Sequence, residues 1–128
     1  MAVRGLWAMA ATMTLILFPF AGILVHAGVD HHLLWSDSTL GMIFTFSLGD
    51  NLVITNNTPD GFLFVSALHH INCNTSEPFS VETGALTVIP LTDTQTRFII
   101  SERADLCRDG LKWQVNVRDP VQEANEAP

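Results

Sequence analysis

Residues 97–117, RFIISERADLCRDGLKWQVNV, constrain the fold of this chain more than any other stretch. Phe98, Ile99 and Ile100 are aromatic or β-branched, the side chains that fit a pleated, partly covered surface. Asp109-Gly110 is a turn signal. Beyond it, Leu111, Trp113, Val115 and Val117 alternate with polar residues, the period-two spacing of a strand with one buried face. The segment reads as strand, short loop and strand, with a lone cysteine, Cys107, in the loop.

The chain from residue 28 onward follows the same pattern. Strands are expected at 29–34, 42–48, 52–55, 62–68, 79–82, 85–89, 97–101 and 111–117. The connections carry Gly, Pro, Asn and Asp, as at Gly49-Asp50 and residues 56–61. No segment past the first 27 residues shows a sustained helical period. Many short strands at regular spacing predict an all-β sandwich. Residues 119–128 form an acidic tail without apolar periodicity and are expected to be disordered.

At 128 residues the chain is one domain, expected over 28–118. Residues 1–27 have the build of a secretory signal peptide: Arg4, an uncharged apolar run over 6–25, and Val25-His26-Ala27 with small residues where a signal peptidase reads. The alternative is an uncleaved membrane anchor, since about 20 apolar residues suffice to cross a bilayer. Pro19 and the Val-x-Ala site favour cleavage, after which no membrane span is expected. The full chain carries a net charge of −7, and losing Arg4 leaves the secreted domain more acidic still. With no basic run, nucleic acid and anionic lipid are excluded as partners. Two cysteines, Cys73 and Cys107, in an oxidising compartment most simply form one bridge, the alternative being two free thiols. The bridge closes a loop of about 35 residues and contributes roughly 3–4 kcal/mol by the chain-entropy estimate.

Phe46, Gly49-Asp50, Leu52, then Cys73-Asn74, then the 97–117 segment with Cys107, form an ordered set of marks. Together they resemble the phytocyanins, the plant blue-copper proteins that include plantacyanins, uclacyanins and early nodulin-like proteins. The resemblance covers about residues 44–117. It implies a cupredoxin-like Greek-key β-sandwich with the two cysteines bridged. Laid from Cys107, it puts the copper cysteine on Ser101, the copper histidine on Leu106 and the axial ligand on Leu111. The first copper histidine falls on Gly61, within one position, so that Asp60 and Phe62 are its neighbours. A blue-copper centre needs two imidazoles, a thiolate and a weak axial group. The resemblance therefore implies a relative with degenerate ligand positions, no metal and no cofactor. Leu106 and Leu111 are expected either to fill the vanished site or, for Leu106 with Phe62, to leave an apolar docking patch. Family members often continue into a hydrophobic anchoring tail; none follows here, and an unanchored product is expected.

Asn56-Asn57-Thr58 and Asn74-Thr75-Ser76 are N-glycosylation sequons, with plain Asn turns as the alternative. The histidine pairs His31-His32 and His69-His70 are read as strand neighbours facing opposite sides rather than as a metal site. Ser101 has no assigned base, so catalysis is not expected. The expected function is that of a non-enzymatic secreted glycoprotein of the plant cell surface or wall, binding an extracellular glycan or protein. The alternative is a copper electron-transfer protein with unconventional ligands.

Overall fold

The computed structural model describes residues 28–126; the signal-peptide reading of residues 1–27 lies outside the described residues. Eight strands form among the described residues: β1 (Asp30–Trp35), β2 (Met42–Ser47), β3 (Asn51–Asn56), β4 (Phe62–Val65), β5 (Ser80–Glu82), β6 (Leu86–Pro90), β7 (Arg97–Ser101) and β8 (Lys112–Arg118). They assort into a three-stranded sheet ordered β1-β3-β6 and a five-stranded sheet ordered β2-β8-β7-β4-β5. Both sheets are mixed, because β1 runs parallel to β3 and β2 runs parallel to β8.

The period-two pattern decides which faces meet. In β8, Trp113, Val115 and Val117 are buried while Lys112, Gln114 and Asn116 are only half covered. In β3, Leu52 and Ile54 point inward, and the register sets Leu52 beside His31 and Ile89. These side chains join Trp35, Phe62, Leu91, Ile99 and Leu111 in one core between the sheets. Two tryptophans anchor it: Trp35 and Trp113 meet edge-on with ring centroids 4.8 Å apart. Trp113 satisfies its buried indole by donating Nε1–H to the Thr39 carbonyl at 2.7 Å.

β4 and β7 are covered on both faces, which explains their unbroken apolar runs. Behind them lies a second cluster of Leu63, Val65, Ile100, Cys73 and Cys107, with Phe98 packed against it. Two short helices close this side, α1 (Ala67–Asn72) and α2 (Ala104–Arg108). The half-cystines sit in these closing segments, and Cys73 and Cys107 form the expected disulfide, with Cα atoms 5.7 Å apart.

Two segments depart from the sequence expectation. The sequence pattern predicts extended structure to residue 68, but Ser66 stops β4 by accepting the His69 N–H on its side chain as an N-cap. Cys73 ends α1 in the left-handed region at φ 54°, and Lys112 donates Nζ–H to the free carbonyls of His70 and Ile71. His69 and His70 therefore lie on a helix, not on a strand. The tail expected to be disordered also departs, since Pro120–Glu126 forms a helix, α3. Asp119 accepts the Val121 and Gln122 N–H groups, and Pro120 opens the first turn, where its missing N–H costs nothing. α1 buries no residue of its own and residues 120–125 of α3 are exposed, so neither announces itself by an amphipathic period.

Asp50 ties the start of β1 to the β2–β3 turn. Its carboxylate, 6% exposed, accepts the Val29 N–H at 3.1 Å and the Ser47 N–H at 3.4 Å, and lies 2.8 Å from His31 Nε2. The His31 ring rests on Phe46, with centroids 4.3 Å apart. The His31 bond first, and the Val29 N–H second, hold the Asp50 carboxyl below its ordinary range despite its burial. A carboxyl depressed in the folded state contributes fully above its unfolded pKa of about 4, and that contribution is lost as pH falls through the folded value. Asp50→Asn is therefore expected to lower the melting temperature at pH 6 and to flatten its decline between pH 5 and pH 2. Parallel acid limbs in thermal melts of the variant and the parent would rule this role out.

Candidate functional site

The four sequence-marked positions come together at one end of the sandwich. β7 ends there with Ser101, β4 begins one residue after Gly61, and the α2 loop returns to β8 through Leu111. The β4–β7 register sets Phe62 directly beside Ser101. Gly61 and Glu102 clasp each other: the Glu102 N–H reaches the Gly61 carbonyl at 3.0 Å, and the Gly61 N–H reaches Glu102 Oε2 at 2.9 Å. The Ser101 N–H donates to the Leu111 carbonyl at 3.1 Å, and the Leu111 N–H donates to the Leu106 carbonyl at 2.9 Å. One backbone mesh thus links all four positions.

Their side chains do different things. A Cβ on Gly61 would lie 2.6 Å from the Glu82 carbonyl oxygen and 2.8 Å from Glu102 Oε2, so this backbone admits no side chain without moving β5. Ser101 is buried, and its Oγ accepts the Arg103 N–H at 3.1 Å, holding the entry to α2. Leu111 is fully buried in the main core, and Leu106 packs against that core half-buried. Phe62 is also fully buried, its ring 5.2 Å from Trp35 and 5.9 Å from Phe64. The expected patch of Leu106 with Phe62 is thereby corrected: Phe62 is an inward residue of β4, and only Leu106 keeps any surface. The alternation along β4 decides this, since the Phe62 side chain faces the opposite sheet.

The rim of this end is charged. Arg103 grips Asp105 with its fork, Nη2 to Oδ2 at 2.6 Å and Nε to Oδ1 at 3.2 Å, and lies 3.9 Å from Asp60 Oδ2. The Asp105 bond, and then its charge, raise Arg103 above its ordinary value, while the bond to Arg103 holds Asp105 below the usual carboxylate range. Both are solvent-exposed, so the pair orders the loop more than it stabilises the fold.

The histidines stand apart from this end in their contacts. His31 is bound to Asp50, and the His70 ring lies 5.1 Å from Phe98 on the outer face of the five-stranded sheet. Burial first, and the nearby Lys112 charge second, push the His70 pKa down. Among the described residues no group of three or more His, Cys, Asp or Glu side chains is placed to hold a metal ion. Both sequon asparagines accept from the residue two places on through Oδ1, and Asn56 alone also donates its Nδ2 to a backbone carbonyl, that of Asp60.

Glu102 and Asp50 are the structural keystones that sequence reasoning missed. Asp50 appeared only as part of a Gly-Asp mark, and nothing singled out Glu102. Their partners lie 19 to 41 residues away, as Asp50 with His31 and Glu102 with Gly61, so no local pattern reveals them.

Two mixed sheets enclosing a tryptophan-rich core, stapled by one disulfide beside a loop-built end, define a cupredoxin-like β-sandwich. The chain belongs to the plastocyanin-like domain family, which matches residues 30–111, more than half its length. Among solved structures it is similar to spinach plantacyanin, with 21% identity, a TM-score of 0.58, and coverage of 70% of this chain and 100% of that one. It is also similar to the cucumber basic protein, a blue copper protein, with 20% identity, a TM-score of 0.53, and coverage of 69% of this chain and 100% of that one. Comparison with curated proteins finds no match. At such identities the likeness speaks for the fold.

The copper of such a neighbour can be tested against the residues present. Gly61, Ser101, Leu106 and Leu111 offer one hydroxyl between them, and that hydroxyl is already held by the Arg103 N–H. They supply neither the imidazoles nor the thiolate that a blue-copper centre requires. This donor set does not fit the metal. Among the described residues no helix is long and apolar enough to cross a membrane.

Proposed function

We propose that this chain is a secreted, non-enzymatic phytocyanin-like glycoprotein of the plant cell surface or wall that has given up type 1 copper. Its role is binding or structural, toward an extracellular glycan or protein, in the manner of the early nodulin-like members. One observation carries the reading: at the positions that the family resemblance marks for the copper ligands stand Gly61, Ser101, Leu106 and Leu111, and the three side chains are engaged in loop closure and core packing. The loop that a metal would brace is braced instead by the Gly61–Glu102 clasp, the Ser101 hydroxyl and the disulfide.

A catalytic reading has little to work with. Ser101 Oγ accepts a backbone N–H, His31 is bonded to Asp50, and the His70 ring packs near Phe98. Apolar residues exposed on β6 and near β5, Leu86, Val88 and Phe79, offer contact surface of the kind a binding protein uses.

Cu(II) titration of the purified protein tests the proposal. The expected result is no intense absorption in the visible red and no reversible redox wave, because no thiolate is available for charge transfer. A blue species at one equivalent would overturn copper loss and establish electron transfer through unconventional ligands.

A further inference from the structure

The two sequons are chemically equivalent in sequence but opposite in structure. At Asn56, Oδ1 accepts both the Thr58 N–H (2.9 Å) and the Thr58 hydroxyl (2.7 Å), while Nδ2 donates to the Asp60 carbonyl at 2.8 Å. The Thr58 hydroxyl also lies 2.8 Å from that same carbonyl, so its single hydrogen is divided between two acceptors. The Asn56 amide thereby ties together the whole loop that leads into Gly61, and its nitrogen is turned inward onto the backbone. At Asn74, Oδ1 accepts the Ser76 N–H (2.9 Å) and the Ser76 hydroxyl (2.6 Å) in an exposed turn, and Nδ2 has no partner among the described residues. The Ser76 hydroxyl is bonded to the Asn74 amide oxygen, and Asn74 itself is half-exposed.

We infer that Asn74 is the acceptor of the chain's N-linked glycan and that Asn56 is a loop strut that the folded protein keeps unmodified. The inference rests on the secretory reading above. In the transfer, the C1–oxygen bond of a lipid-linked oligosaccharide diphosphate breaks and a C1–Nδ2 bond forms; the amide loses a proton, the lipid diphosphate leaves, and no electrons are exchanged. On Asn74 the sugar replaces a hydrogen that bonds nothing, and both Oδ1 bonds survive. On Asn56 it would be attached to an atom 2.8 Å from the Asp60 carbonyl, in the loop that sets the Gly61–Glu102 clasp. A chain glycosylated there must open that loop. Asn74 also directly follows Cys73, so its glycan would stand at the end of α1, next to the disulfide.

The test uses the full chain translated into microsomes that hold the lipid-linked donor, with leader cleavage, protease protection and glycopeptide mass read on each sample. The parent and Asn56→Gln are expected to carry one glycan, on Asn74, and Asn74→Gln to carry none. A protected, cleaved chain bearing a glycan on Asn56, or none on Asn74, overturns this inference and leaves the secretory reading standing. An uncleaved chain open to protease overturns the secretory reading and the inference with it. The strut is tested separately on unglycosylated, oxidised protein: Asn56→Gln is expected to lower the melting temperature by about 4–8 °C, and Asn74→Gln by less than about 2 °C. Equal shifts would overturn the strut.

Discussion

Replacing both half-cystines, Cys73→Ala with Cys107→Ala, is expected to cost about 2–5 kcal/mol of unfolding free energy. A domain of this size has roughly 5–15 kcal/mol in total, so the variant should sit near the edge of folding. The bridge spans a sequence separation of 34 and joins the segments that follow β4 and β7, strands paired in the middle of the five-stranded sheet. Cutting it releases the end of α1 and the α2 loop together. Some of the loss has a second origin, because Cys73 stands at φ 54°, where alanine is strained and glycine is not. Cys73→Gly with Cys107→Ala separates the two: it should recover up to about 1 kcal/mol of backbone strain but none of the cross-link. Urea titrations of the three proteins measure this. A parent-like midpoint for the alanine pair would show that the sheets hold this end without the bridge.

Leu111→Ala is expected to cost about 2–5 kcal/mol, because it leaves a void where Phe62, Trp113 and the loop backbone converge. Leu106→Ser should cost less, about 0.5–2 kcal/mol, because that side chain is only half covered. The pair of values distinguishes two fates for the former ligand positions. Leu111 is a core residue that seals the loop end from inside. Leu106 is the one of the four marked positions whose apolar side chain still meets solvent, and so the one of them available to a partner. Equal losses by chemical denaturation would place Leu106 in the core and remove it as a contact residue. If Leu106→Ser instead abolishes partner capture with its stability intact, the docking role stands.

Much of this architecture is legible in the residues alone. Each expected strand has a counterpart at its place, because each carries either the alternation of a half-covered strand or an apolar run short enough to be one. The loop-end positions come from the family resemblance rather than from the residues alone, and the folded chain brings Gly61, Ser101, Leu106 and Leu111 into one mesh. The helices are not legible in the residues. α1 and α2 are six and five residues long, too short for a helical period to accumulate, and α1 is set by one serine cap and one left-handed cysteine. The place of Phe62 also escapes a reading by neighbours. Proximity to Gly61 suggests the surface, whereas the alternation along β4 turns the ring into the core.

The family resemblance marked the loop-end positions, and composition and spacing by themselves determined the β-sandwich, the candidate cysteine pair and the two sequons. All of these depend on residue identity or on periodicity along a few neighbours. Only the tertiary structure decided that Asp50 holds β1, that Glu102 clasps Gly61, that Lys112 caps α1 and that the Asn56 and Asn74 amides have opposite duties. The first three are polar contacts across 21 to 42 residues of chain, and a hydrogen bond between distant partners leaves no period or motif in either segment. The last is a matter of which way one nitrogen points, which the fold of the loop sets and the sequon does not.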